Sequence, residues 1–235
     1  MNHETRTTKP ESRIICFDCE TTGFDYARGE RIIELGAVEI LDGKITDATF
    51  HAYVNPDGKI IPPDSYMVHK LSNDFLADKE KFATVAPKLL EFIGDSPVVA
   101  HNGFDFDFPF LNYELNAAGM PTIGREQQLD SIVIARNKVF GPKTYTLDAL
   151  AKWFGVSLVT RADAHGALID ADILARVYLE LAACAPARNI DDIIAEQHAA
   201  FLATPRTGAN FPHRKFPASA EELSAHSAFM ERIVG

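Results

Sequence analysis

A short run near the N-terminus, Ile14 to Glu20, constrains this chain more than any other part. In an extended strand, residues two apart point to the same face. Ile14, Cys16, Asp18 and Glu20 therefore form one row that starts apolar and ends in two acids. A buried acid is costly unless something positive shares its site, and two carboxylates held side by side repel unless a cation lies between them. The bland alternative is a strand that ends in solvent with two ordinary surface acids. Thr21-Thr22-Gly23 follows at once, a turn whose amides and hydroxyls can meet a sugar or phosphate.

Further along, Asp170 shares a helical stripe with Ile173, Leu174, Val177, Tyr178 and Leu181. It heads the face that should pack on a core. Asp163 and Asp172 lie off that stripe and fit a simple helix-dipole role better. Asp105 follows Phe104 and opens a helix, where a capping role is the ordinary reading of an aspartate. His165 taken singly reads as a loop or cap residue. The weight lies in the set. Asp18, Glu20, Asp105, His165 and Asp170 all fall at strand and helix ends, where α/β folds gather their functional groups. Acids offering only oxygen select Mg²⁺ or Mn²⁺ over zinc. Two such ions stabilise the attacking and leaving oxygens at phosphorus, and a histidine nearby can take a proton from water. These parts suit phosphodiester hydrolysis.

The framework supports a folded enzyme. The chain has 235 residues, 46% hydrophobic and 24% charged, enough for one large domain with an appendage. Strands are predicted over residues 14–18, 31–41 and 49–54, with Asp42-Gly43 as a hairpin turn. Residues 82–93 carry helical spacing, residues 97–100 read as a buried strand, and a helix is expected from Phe104 onward, with Pro109 tolerated in its first turns. Residues 129–135 read either as a strand end or as a helix start. Helices follow over residues 146–154, stopped by Gly155, and 165–183. Early strands followed by alternating strands and helices predict an α/β fold with a mixed sheet. Cys16 and Cys19 should point to opposite faces of one strand, and none of the three cysteines has metal-binding spacing. A reduced, cytoplasmic protein is the simplest reading. No apolar run reaches the ~18 residues that span a bilayer. Residues 1–12 read as a flexible lead-in, 13–185 as the compact domain, and 186–235 as a helical extension with a linker around residues 204–217.

The formal net charge of −10 argues against a protein that grips a long duplex by charge alone. An enzyme acting on a strand end, with metal ions supplying positive charge locally, escapes that argument. It should bind weakly by itself and depend on a partner to hold it on its substrate.

These segments together resemble the DEDD exonucleases of the histidine-containing subclass, and among them the proofreading subunits of bacterial replicative polymerases. The matching motifs are Asp18-Cys19-Glu20-Thr21-Thr22-Gly23, His101-Asn102-Gly103-Phe104-Asp105 and His165-Gly166-Ala167-Leu168-Ile169-Asp170, supported by Asp130-Ser131 and residues 146–150. The resemblance implies a ribonuclease-H-like fold, a mixed five-stranded sheet flanked by helices. It implies that Asp18, Glu20, Asp105 and Asp170 hold two divalent cations, Mg²⁺ or Mn²⁺, with His165 as general base. Thr21, Thr22 and Gly23 would lie near the terminal nucleotide, Asp64 near the 3′-hydroxyl, Val68 and His69 in a wedge and sugar-contact segment, and Asn102 and Phe104 along the pocket. Lys70 stands where many relatives have glycine. The implied reaction is 3′–5′ removal of nucleoside monophosphates from single-stranded DNA, for proofreading or repair. Trimming of RNA 3′ ends and a non-catalytic nucleic-acid-binding module are the alternatives. The segment around residues 217–226 resembles a polymerase-binding tail; a terminal helix packed on its own domain is the other reading.

Overall fold

The computed structural model describes residues 12–139, 142–158 and 166–184, with residues 194, 195, 198 and 199. Five strands form one sheet in the order β3-β2-β1-β4-β5. β1 (Arg13–Thr21) pairs antiparallel with β2 (Ile32–Leu41), which pairs antiparallel with β3 (Lys44–Tyr53). β4 (Val98–Ala100) and β5 (Gln128–Asp130) extend the sheet in parallel on the other side of β1. The sheet is mixed and five-stranded, as expected. Asp42 and Gly43 turn β2 into β3 with positive φ at both positions, 49° and 76°, the backbone a two-residue hairpin needs.

Strand alternation divides the interior in two. Cys16, Val38, Ile40 and Val99 face a core built with α5 (Ser131–Lys138), α6 (Leu147–Phe154) and α7 (Ala167–Ala183). Ile15, Phe17, Cys19, Leu35 and Ala37 face a second core with α3 (Phe82–Ile93) and α4 (Asp107–Ala117). The two strand cysteines therefore do lie on opposite faces. Two short helices, α1 (Pro63–His69) and α2 (Asn73–Leu76), follow β3; sequence periodicity did not reveal them because each is too short to show a stripe.

Two expectations are refined. Residues 129–135 are both strand end and helix start: β5 ends at Asp130, whose side chain accepts from the Ile132 and Val133 amides and caps α5. The helix expected from Phe104 begins at Asp107 instead. Asn102 takes a left-handed conformation, φ 63°, and residues 101–106 are used in the turn that follows β4. Pro109 is then the third helical residue, where no intrahelical amide bond is lost. Of residues 186–235, only four fall within the described part of the chain.

Gly36 decides how α7 sits. It lies in β2 directly across from Asp18. A Cβ at this position would stand 2.2 Å from the Ala167 carbonyl carbon and 2.3 Å from the Leu168 nitrogen. The first turn of α7 therefore lies almost on the β2 backbone, an approach only glycine permits.

Candidate active site

The end of β1, β2 beside it and the first turn of α7 build the site. Asp18 and Glu20 project from the β1 face that meets α7. Asp170 points back at them from the first turn of α7, where its amide donates to the Gly166 carbonyl at 2.9 Å. One ligand oxygen from each of Asp18, Glu20 and Asp170 lies within 4.8 Å of the others, with Asp170 buried and the other two half-buried. A set of three carboxylates with only oxygen donors fits a hard divalent cation. Three of the four acids expected to act together are thus brought together.

Asp105 is not among them. It is exposed, in the turn after Asn102, where its amide donates to the Asn102 carbonyl. The acid that is buried is Asp107, two residues on and only 2% exposed. Its Oδ1 lies 3.4 Å from the thiol of Cys19, the residue between Asp18 and Glu20. Burial pushes the Asp107 carboxyl up to about 7, against hydrogen bonds from Cys19 and nearby amides. Asp107 reaches β1 from the opposite face of the sheet. The turn after β4 runs through Phe106, so the inward acid is Asp107, which starts α4, while Asp105 faces outward. The sequence signal was present in Phe106-Asp107-Phe108, an acid enclosed by aromatic residues.

The turn after β1 is held by its own hydroxyls. The Thr21 hydroxyl donates to the Gly23 carbonyl at 2.7 Å. Thr22 is fully buried; its hydroxyl donates to Glu30 Oε2 at 2.5 Å and accepts from the Arg31 amide at 2.9 Å. Both hydroxyls are used within the protein, so these threonines shape the turn. Lys59 sits 2.6 Å from Glu30 Oε1, and with Thr22 it holds that carboxyl below its usual range, against the effect of burial. Beyond Gly23, Phe24 is 89% exposed, with its ring 6.1 Å from that of Phe106.

Helix α1 is tied to this turn by the Ser65 hydroxyl, which donates to the Thr22 carbonyl at 2.9 Å. Asp64, Met67 and Val68 are exposed along α1, and His69 is buried. The Leu71 amide donates to His69 Nδ1 at 3.0 Å, so the neutral ring carries its proton on Nε2. Nε2 is buried and has no hydrogen-bond partner. Burial lowers the pKa of this ring, with Glu34 acting in the other direction. Lys70 ends α1 in the left-handed region at φ 60°, which explains why glycine is favoured there. On the other side of the site, Asn102 is exposed, while the half-buried Phe104 donates its amide to Asp130 Oδ2 at 3.1 Å. The Arg125 guanidinium lies over the Phe104 ring, 3.3 Å from its centroid. His101 and Asn102 line a cavity of about 580 Å³ with Arg136, Tyr145 and Thr146. His165 lies outside the described residues.

Glu34 belongs to this region and was missed. It pairs with Glu20 across β1 and β2, is 3% exposed, and holds His51 Nε2 at 2.7 Å. Its signal was an acid inside the otherwise apolar run from Ile32 to Val38.

An acidic oxygen cluster at the end of the central strand of a mixed sheet has the donor set of a divalent-cation site, as metal-assisted hydrolases of phosphodiesters use. The family model described as Exonuclease matches residues 15–178, and the chain belongs to that family. It is 44% identical over 172 residues to the DNA polymerase III subunit epsilon of Rickettsia felis, covering 72% of this chain and 73% of that protein. The subunit of the same name from Escherichia coli strain K12 is 37% identical over 177 residues, with 72% and 71% covered. Among solved structures, exonuclease X in complex with 5′-overhanging duplex DNA superposes with a TM-score of 0.60 at 26% identity, over 77% of this chain and 99% of that one. The nuclease domain of 3′hExo, a DEDDh family member bound to rAMP, shares the fold with a TM-score of 0.63 at 16% identity, over 77% and 96% of the two chains. The activity of the chain is that of a 3′–5′ exonuclease, a hydrolase of phosphodiester bonds. Divalent metal ions are the normal cofactors of this family, and Asp18, Glu20 and Asp170 form the acidic group able to hold one. No helix among the described residues is long and apolar enough to cross a membrane.

Proposed function

We propose that this enzyme removes nucleoside monophosphates one at a time from the 3′ end of single-stranded DNA, as the proofreading subunit of a cytoplasmic replicative polymerase. The observation that carries this reading is the convergence of Asp18, Glu20 and Asp170 at the end of β1. The names of its relatives, which are polymerase subunits, give the context. Asp107 supplies the fourth acid, and Mg²⁺ or Mn²⁺ are the ions that an all-oxygen set of this kind selects. When bound, two such cations lend charge stabilisation to the attacking and leaving oxygens at phosphorus.

The protein's own residues do the rest. His165, one residue before the α7 N-cap, accepts the proton of the attacking water; a ring that titrates near neutrality suits this task. His69 offers its Nε2 proton to an oxygen of the terminal nucleotide, which relieves the one buried donor on α1 left without a partner. The Thr21–Gly23 turn, held by Glu30, presents backbone to the sugar. Phe24, Met67 and Val68 offer exposed apolar surface to the last bases, whose faces stack well on such side chains. A net charge of −10 gives little non-specific grip on DNA. The extension after residue 185 then serves as the tether to the polymerase.

The test compares Asp107→Asn and Asp105→Asn on 5′-labelled single-stranded DNA and on matched RNA, with Mn²⁺. Asp107→Asn should lose at least about a hundredfold in rate, while Asp105→Asn stays near wild type. The reverse order would return the fourth acid to Asp105. A strong preference for RNA would replace the proofreading role with RNA trimming.

A further inference from the structure

Asp107 is held in an unusual way. Its carboxylate is buried, and a buried carboxylate needs donors. The side-chain donor is a thiol, Cys19 Sγ, at 3.4 Å from Oδ1. Cys19 is itself 4% exposed and lies in β1 between Asp18 and Glu20, pointing to the opposite face. Its side chain faces the core with α4, as that of Phe17 does.

We propose that Cys19 is a positioning residue for Asp107, a role that rests on Asp107 being the fourth acid of the site. Its S–H donates to Oδ1 and fixes the carboxylate beside the end of β1. A thiol is a weak donor. It orients the carboxylate in the metal-free protein and competes little with a cation for the same oxygen.

The experiment uses the full-length protein and three variants. Cys19→Val keeps a similar volume and removes the donor; Cys19→Ser keeps a donor; Asp107→Ala removes the acceptor. Exonuclease activity is titrated against Mn²⁺. Cys19→Val should raise the half-saturating Mn²⁺ concentration about tenfold, with a smaller change in kcat, the low end of what losing an outer hydrogen-bond partner of a metal ligand costs. Cys19→Ser should stay within about threefold of wild type, since a donor remains. A readout without metal comes from infrared spectra, in which the S–H stretch of Cys19, isolated by subtracting the Cys19→Ser spectrum, should move to higher wavenumber in Asp107→Ala. Equal Mn²⁺ shifts in Cys19→Val and Cys19→Ser, wild-type titration by Cys19→Val, or an S–H band unmoved in Asp107→Ala would each overturn the proposal. Retained activity in Asp107→Ala is a different failure: it removes Asp107 from the acid set, even where the S–H band still shifts.

Discussion

Replacing Gly36 with alanine should separate the two halves of the acid cluster without touching any acid. The added Cβ would lie 2.2 Å from the Ala167 carbonyl carbon, 2.3 Å from the Leu168 nitrogen and 2.4 Å from the Ala167 carbonyl oxygen. All three are backbone atoms, so no side-chain rotation relieves the overlap. Carbon atoms pack at about 3.5–4.0 Å, so the first turn of α7 must retreat from β2 by roughly 1 Å or more. Asp170 rides on that turn, whereas Asp18 is the cross-strand partner of Gly36 itself. The retreat therefore widens the gap between Asp170 and Asp18. Overpacking of this kind costs about 1–3 kcal/mol. In a domain of this size that corresponds to a fall in Tm of roughly 3–10 °C. A misplacement of about 1 Å in a catalytic group costs on the order of a hundredfold in rate. The loss of activity should thus exceed what the loss of stability explains, and it should persist well below the Tm. Thermal unfolding, paired with single-turnover cleavage of labelled single-stranded DNA across a Mn²⁺ series, measures both effects. Wild-type Tm together with wild-type cleavage would show that α7 does not depend on the missing side chain. A lowered Tm with unchanged cleavage at low temperature would show that its position does not set the geometry of the acids.

Two further outcomes follow from buried groups. Asp107 has its carboxyl raised from 3.8 to about 7 by burial in the metal-free protein. Its neutral form is favoured by folding, so this contribution to stability is complete below about pH 4 and is lost as pH rises toward 7. Metal-free wild type should therefore lose Tm over that window relative to Asp107→Asn; parallel curves for the two proteins would contradict the burial argument. Thr22→Val keeps the shape of the side chain but leaves Glu30 and the Arg31 amide without their hydroxyl partner. It should cost about 1–3 kcal/mol in urea unfolding and raise KM for short oligonucleotides as the α1 segment loosens. A stable variant with unchanged KM would remove Thr22 from the role of holding that turn.

Strand alternation and helical spacing were enough to place Asp18, Glu20 and Asp170, because each is a local property of a few neighbouring residues. Asp42-Gly43 marked its hairpin for the same reason: two positive φ angles are a demand that few residue pairs meet. The mixed sheet was also legible, from the order of strands and helices along the chain. Asp105 was named from the motif resemblance, and neither motif nor periodicity shows where the turn after β4 ends. Phe108, Leu111 and Leu115 keep the same spacing whether the helix begins at Phe104 or at Asp107. Similarly, the motif made Thr21 and Thr22 look available to a ligand, and only the packed turn shows their hydroxyls already bonded.

By itself, then, the order of residues pointed to the class of fold and to Asp18, Glu20 and Asp170 as acids that share a region of the structure. Tertiary structure alone decided that Asp107 rather than Asp105 faces inward, that Gly36 lets α7 close on β2, and that Glu34 joins His51 beside Glu20. The physical reason is burial. Whether an acid is costly, whether a hydroxyl is spent and whether a missing side chain matters all depend on what the distant parts of the chain bring against it.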